Sequence, residues 1–123
     1  MADIQKLTTD AINLLKDLIR TESFSKQEDK TADLINNFLV ERGVPKERLK
    51  NNVWAFNKHF DKSKPTILLN SHHDTVKPNS AYTKNPFEAI VEDGKLYGLG
   101  SNDAGGCLVS LMATFTYFFH QEN

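Results

Sequence analysis

The sequence has 123 residues, of which 39% are hydrophobic and 25% are charged, and this composition is typical of one globular domain. Its formal net charge of −1 lacks the basic excess of proteins that bind nucleic acid, and its single cysteine excludes an internal disulfide. The charged N-terminus does not resemble a secretory signal, and no apolar run has the length of about 20 residues that is needed to cross a bilayer. We therefore expect a cytoplasmic protein that binds neither nucleic acid nor a membrane.

The first third of the chain carries two amphipathic helical patterns. In Asp3–Arg20, apolar residues recur at spacings of three and four, which predicts one helix that ends near Thr21. Ser25 and Glu28 have the spacing of a capping box, so we expect them to start the second helix. Gly43 is the natural end of that helix, because glycine readily adopts the left-handed conformation of a C-terminal cap.

Strand-like segments follow the two helices. We predict strands at Asn52–Asn57 and Pro65–Ser71, and the second lacks alternation of polar and apolar residues, which indicates that both of its faces are covered. Two further short strands are expected to form a hairpin around Asp93-Gly94, and a glycine-rich turn then leads into an apolar helix that begins at Gly106. This order of elements predicts an α/β fold in which helices flank a mixed twisted sheet.

The residues SHHD at the end of the second predicted strand could bind a metal. His72 and Asp74 are two positions apart and so point to the same side of a strand, whereas His73 points to the other side. A metal-binding imidazole usually donates its second N–H to a carboxylate, and Asp74 could supply that group. The alternative is that His72 and Asp74 form an ordinary hydrogen bond in a turn.

The glycine-rich stretch GLGSNDAGG offers a second acidic side chain. Asp103 lies between the predicted hairpin and the start of the last helix, where unpaired N–H groups stabilise a negative charge. It could therefore ligate a metal, or it could simply cap that helix. Nucleotide binding is disfavoured, because Asp103 replaces the third glycine of G-x-G-x-x-G and the stretch lacks the Gly-Lys-Ser/Thr of a phosphate-binding loop.

Taken in order, SHHDTV, NPFEAIVEDGKLYGLGSNDAGG and the following apolar helix resemble the N-terminal part of the catalytic domain of the M20 zinc metallopeptidases. This family includes acetylornithine deacetylase, succinyl-diaminopimelate desuccinylase, aminoacylase and glutamate-releasing carboxypeptidases. The resemblance covers nearly the whole chain, and GLGSNDAGG is most similar to the acetylornithine deacetylase branch. Two positions depart from the common pattern: Leu99 stands where many relatives have arginine, and Ala104-Gly105 stands where Met-Lys or Asn-Lys is frequent.

The resemblance implies a site and a reaction. His72 would bind one of two zinc ions, which cobalt or manganese could replace, and Asp103 would bridge both ions. Asp74 would be the catalytic residue that orients His72, and the peptide bond between Asp103 and Ala104 would be cis. The complete protein would use a metal-activated water and a glutamate base to hydrolyse the amide bond of a small-molecule N-acyl amino acid, in the manner of acetylornithine deacetylase in arginine biosynthesis.

The sequence also predicts that the site is incomplete. A two-metal centre needs more ligands than these two, and the adjacent Glu-Glu pair that the resemblance implies is absent from the sequence. His59 lies in a charged loop and His120 at a helix end, so we expect both to be solvated.

We therefore interpret residues 1–123 as the N-terminal portion of a truncated metallohydrolase catalytic domain that is inactive alone. It would lack the C-terminal half and the inserted domain through which many relatives form homodimers. The alternatives are another M20 peptidase or desuccinylase, and a non-catalytic binding or assembly module on the same scaffold.

Overall fold

Two helices, four short strands and a further helix follow one another in the computed structural model, which describes residues 3–122. The elements are α1 (Ile4–Arg20), α2 (Asp29–Glu41), β1 (Lys46–Leu49), β2 (Asn52–Ala55), β3 (Ile90–Glu92), β4 (Lys95–Tyr97) and α3 (Gly106–Phe118). An irregular turn, Ser101–Gly105, joins β4 to α3. This mixture of helices and strands confirms the predicted α/β class.

The start of α1 and the ends of α1 and α2 lie where the sequence predicts. The carboxylate of Asp3 accepts hydrogen bonds at 2.9 and 3.2 Å from N–H groups in the first turn of α1 and so caps it. Gly43 follows α2 with a φ of +66°, and the N–H of Val44 then donates to the Leu39 carbonyl at 3.0 Å. A left-handed glycine therefore ends α2, as expected.

The start of α2 differs from the prediction, because Ser25 and Glu28 do not form a capping box. The Glu28 carboxylate accepts hydrogen bonds from the Lys26 N–H at 2.7 Å and from the Asn51 side-chain amide at 2.9 Å. The Ser25 hydroxyl donates to Asp74, 49 residues further along the chain. A capping box needs local contacts between the two residues and the backbone at the helix start. Here Ser25 and Glu28 form hydrogen bonds with other partners instead.

The strands form two separate antiparallel hairpins within residues 3–122, and not the single mixed sheet that we expected. β3 and β4 are joined by Asp93 and Gly94, whose φ values of +50° and +72° suit a tight hairpin turn, so this predicted hairpin is confirmed. β1 and β2 pair with Leu49 opposite Asn52. The sequence did not predict β1, because its residues KERL are mostly charged and exposed.

The prediction of a covered strand at Pro65–Ser71 is wrong for the described residues. Neither hairpin pairs with this segment, and Ile67 and Leu68 are 87% and 82% exposed. A cavity of about 600 Å³ lies between β2 and the end of the segment and is lined by side chains that include apolar residues of α2 and α3. A strand exists only within a hydrogen-bonded ladder, so an apolar run with no strand edge beside it stays unpaired.

The core lies where α1 packs against α3. Leu14 and Leu18 of α1 are buried with Leu108 and Met112 of α3, whereas Phe118 is 47% exposed. This packing fixes the positions of two segments, the chain that leaves α1 and the turn that enters α3. In the part of the chain that the structure describes, no helix combines the length and the apolar character needed to cross a membrane.

Candidate metal centre

The predicted pair His72 and Asp74 lies just before a point at which two distant parts of the chain meet. Thr75 forms an isolated parallel bridge with Phe24, and this contact fixes the backbone beside Asp74. His72 Nδ1 lies 3.0 Å from Asp74 Oδ1 and 3.3 Å from the main-chain oxygen of Asp74. The two side chains therefore share one side of the segment, as their spacing predicts.

Asp103 reaches the same point from the turn Ser101–Gly105. His72 Nε2 lies 3.1 Å from Asp103 Oδ1, although 31 positions separate the two residues in the sequence. The peptide bond between Asp103 and Ala104 is cis, as the resemblance implies. The imidazole of His72 is thus held between one carboxylate on its own segment and another on a separate turn.

Two glycines allow this turn to approach the rest of the site. Gly100 has a φ of +77°, and a Cβ atom built on it would lie 2.7 Å from Thr75 Cγ2. A Cβ atom on Gly105 would lie 2.6 Å from Leu15 Cδ1 and 2.7 Å from the Gly100 carbonyl oxygen. Favourable carbon contacts are about 3.5–4.0 Å long, so a larger residue at either position would force this turn or the side chain beside it to shift.

The position of Asp103 excludes the structural alternative of a helix cap. The described residues include no side chain that caps the N-terminus of α3, and the Asp103 side chain is 90% exposed. An ordinary turn hydrogen bond also fails to describe His72, because its imidazole contacts carboxylates from two separate parts of the chain.

The charges around His72 keep its imidazole oriented. Partial burial by itself lowers the pKa of His72, but hydrogen bonds to Asp74 and Asp103 outweigh it, so the pKa is raised above the ordinary value of 6.5. The pKa of Asp74 is lowered, chiefly by the hydrogen bond from the Ser25 hydroxyl and also by His72. Asp74 is therefore ionised at neutral pH and faces Nδ1 of His72, while Asp103 faces Nε2, so each ring nitrogen lies beside a carboxylate oxygen.

The donor atoms fit a divalent metal ion. Zinc binds imidazole nitrogen and carboxylate oxygen at about 2.0–2.2 Å, so two such donors on one tetrahedral ion lie roughly 3.3–3.6 Å apart. The measured separation of His72 Nε2 and Asp103 Oδ1 is 3.1 Å. Within residues 3–122, no third His, Cys, Asp or Glu joins them in a metal-binding group. The described residues could thus supply two of the four ligands that zinc prefers.

The other histidines lie away from this centre, as predicted. Nδ1 of His73 lies 2.7 Å from Thr31 Oγ1, and its Nε2 lies 2.9 Å from the Asn51 carbonyl oxygen, so this ring supports the opposite side of the segment. His59 and His120 are both exposed.

Ser25 contacts the site and was missed by the sequence reasoning. Its Oγ donates to Asp74 Oδ2 at 2.5 Å. The resemblance extends over this part of the chain, but no spacing rule connects position 25 with position 74. A serine three residues before a glutamate at a helix start also fits a local cap, which hid the tertiary role.

The sequence comparisons agree on one family. Residues 68–122 match the family model described as Peptidase family M20/M25/M40. A succinyl-diaminopimelate desuccinylase of Rickettsia bellii is 32% identical over 109 residues, which is 80% of this chain and 27% of the relative. The corresponding protein of Blochmanniella floridana is 26% identical over 122 residues, or 94% of this chain and 32% of the relative.

A third succinyl-diaminopimelate desuccinylase, from Acidiphilium cryptum, is 28% identical over 105 residues, or 85% of this chain and 28% of the relative. The chain therefore spans about 27% to 32% of the length of these curated relatives.

Proposed function

Because residues 68–122 match the model of the peptidase family M20/M25/M40, we propose that the protein is a metal-dependent hydrolase that removes an N-acyl group from an amino acid. The observation that carries this proposal is the convergence of His72 and Asp103, with Asp74 on the far side of the imidazole. A structural His–Asp pair would not need a second carboxylate delivered by a separate turn that only glycines allow. A metal-binding pair needs that arrangement.

The three side chains have separate roles in this proposal. Zinc, or cobalt or manganese in its place, supplies a Lewis acid and lowers the pKa of a bound water. His72 offers its Nε2 lone pair because Asp74 holds the proton on Nδ1. Asp103 offers carboxylate oxygens from a side chain that is 90% exposed, and with two oxygens it could bridge two ions.

The proposed substrate is an N-acyl amino acid, and two acyl groups are candidates. The relatives named above are succinyl-diaminopimelate desuccinylases, which favours an N-succinyl amino acid. The stretch GLGSNDAGG favours N-acetylornithine. We place the succinyl group first, because similarity over 105 to 122 residues carries more information than nine positions. A cytoplasmic location and a homodimeric assembly belong to the same proposal and rest on the family resemblance.

The proposal assigns only part of the centre to this chain. The sequence contains no adjacent Glu-Glu pair to supply the base and a further ligand. A second candidate function follows from that observation: a module that keeps the scaffold and binds an amino-acid derivative without hydrolysing it. The two functions differ in turnover and not in fold, so an assay separates them.

The test uses the complete reading frame that carries this sequence, loaded with zinc and assayed against N-succinyl and N-acetyl amino acids. We expect hydrolysis of one class, and we expect Asp103→Asn to lower kcat/KM by more than about a hundredfold, since even the partners of metal ligands are worth roughly 10- to 100-fold. Asp93→Asn is the matched control, because Asn tolerates the positive φ of the β3–β4 turn. Zinc-bound protein that turns over neither class would favour the binding module, and equal activity of both variants would refute the role of Asp103.

A further inference from the structure

The hydroxyl of Ser25 lies in the segment that connects α1 to α2, outside the pair of metal-ligating side chains. Its Oγ donates to Asp74 Oδ2 at 2.5 Å, and the other carboxylate oxygen, Oδ1, lies 3.0 Å from His72 Nδ1. One carboxylate therefore connects a hydroxyl on one segment with an imidazole on another. The three groups form a chain of hydrogen bonds that ends at Nε2 of His72.

The backbone fixes the position of Ser25 relative to Asp74. The Ser25 N–H donates to the Thr75 carbonyl at 3.2 Å, and the Thr75 N–H donates to the Ser23 carbonyl at 2.7 Å. These bonds form the parallel bridge between Phe24 and Thr75. Because Thr75 directly follows Asp74, the hydroxyl and the carboxylate are attached to backbone segments that are bonded to each other.

A second hydrogen bond changes what Asp74 can do. A carboxylate with a donor at only one oxygen can rotate about its terminal bond, whereas donors at both oxygens hold its plane. The Asp74 side chain is 37% exposed, so water competes for any oxygen that lacks a protein donor. Ser25 thus keeps the carboxylate oriented.

We propose that Ser25 is a positioning residue that acts through Asp74 to hold His72 in the Nδ1–H tautomer, with Nε2 directed at Asp103. This proposal adds a residue to the proposed metal centre, and its statements about metal binding rest on the proposed function. In the metal-free protein the Asp103 carboxylate competes with Asp74 for the imidazole proton, so there the proposal concerns how far Ser25 shifts the tautomer toward Nδ1–H.

The test compares Ser25→Ala, Ser25→Thr and Thr21→Ala in the complete reading frame. Ser25→Ala removes the hydroxyl, and Ser25→Thr restores it at an exposed position. Thr21→Ala is the matched control, because the Thr21 hydroxyl lies in the same connection but donates to the Asp17 carbonyl at 2.8 Å. Cobalt affinity is measured by absorption titration, and the His72 tautomer is measured by nitrogen-15 NMR of the metal-free protein above pH 8.

We expect Ser25→Ala to weaken cobalt binding by roughly three- to tenfold. Loss of a group that supports a metal ligand directly costs roughly 10- to 100-fold in metal affinity, and Ser25 acts one hydrogen bond further away. We also expect Ser25→Ala to reduce the Nδ1–H population of His72, while Ser25→Thr restores both properties and Thr21→Ala changes neither. An unchanged tautomer in Ser25→Ala, or equal losses in Ser25→Ala and Thr21→Ala, would overturn the proposal. If the wild-type protein bound no cobalt, the proposed function would fail, and the tautomer measurement would still decide the role of Ser25.

Discussion

Gly105 is the residue at which the turn that carries Asp103 enters α3, and it has no room for a side chain. Its Cβ atom would meet Leu15 Cδ1 at 2.6 Å and the Gly100 carbonyl oxygen at 2.7 Å. We predict that Gly105→Ala lowers the free energy of unfolding by about 1–3 kcal/mol through overpacking and also weakens cobalt binding, because Asp103 is displaced. Urea unfolding and a cobalt titration measure the two effects.

Gly94→Ala is the control for this substitution. Gly94 has a φ of +72° but nothing within 4 Å of its Cβ position, so alanine there costs stability through its backbone conformation, by about 1–2 kcal/mol, and leaves the site intact. Unchanged cobalt affinity in Gly105→Ala would show that the close packing of this turn does not position Asp103.

Among single residues, the sequence predicted the partners that lie close in the chain. The spacing of His72 and Asp74 was enough to place them on one side, and the structure agrees. Asp103 was placed through the resemblance and not through spacing, since nothing local indicates that a residue 31 positions away will meet His72. Ser25 could not be placed, because its contact depends on the bridge between Phe24 and Thr75.

Among elements, patterns with a local cause were predicted and those that depend on neighbours were not. The hairpin of β3 and β4 follows from Asp93 and Gly94, whose conformations the turn requires. Pro65–Ser71 is apolar enough for a covered strand, but pairing requires a strand edge at the right place, and β2 is separated from it by a cavity of about 600 Å³. Strand formation is a property of the sheet, so one segment cannot specify it.

Two helices are connected by an ion pair whose strength depends on pH. Asp10 of α1 accepts hydrogen bonds from Lys6 at 2.7 Å and from Arg42, just after α2, at 2.8 Å. The pKa of Asp10 is lowered, first by the hydrogen bond from Lys6 and then by Arg42, against the effect of burial. The ionised carboxylate therefore stabilises the fold at neutral pH, and this contribution is lost as pH falls below the ordinary value of 3.8.

We predict that Asp10→Asn lowers the free energy of unfolding by about 1 kcal/mol at pH 7, because the Arg42 guanidinium loses its charged partner between the helices. The difference from the wild type should shrink below about pH 4, where the wild-type carboxyl is itself protonated. Asp17→Asn, which alters an exposed pair with Arg20, should change stability by less than about 0.5 kcal/mol. A difference for Asp10→Asn that persists unchanged into acid would exclude the ion pair as its cause.

At the scale of the whole molecule, one packing interaction organises the site. The packing of α1 against α3 fixes the connection that carries Ser25 and the turn that carries Asp103. The segment with His72 and Asp74 lies between this connection and this turn. The composition predicted a single core, and the order of predicted helices and strands indicated the α/β class. The separation of the strands into two hairpins was not predicted, since it depends on which strand edges lie beside each other.

The most direct measurement is the position of zinc in a crystal of the complete reading frame, located by anomalous scattering at the zinc edge. We predict one zinc ion within about 2.0–2.2 Å of both His72 Nε2 and a carboxylate oxygen of Asp103, with the Asp74 carboxylate on the Nδ1 side of the ring. Zinc bound to only one of the two residues, or at a place that involves neither, would contradict the shared metal centre.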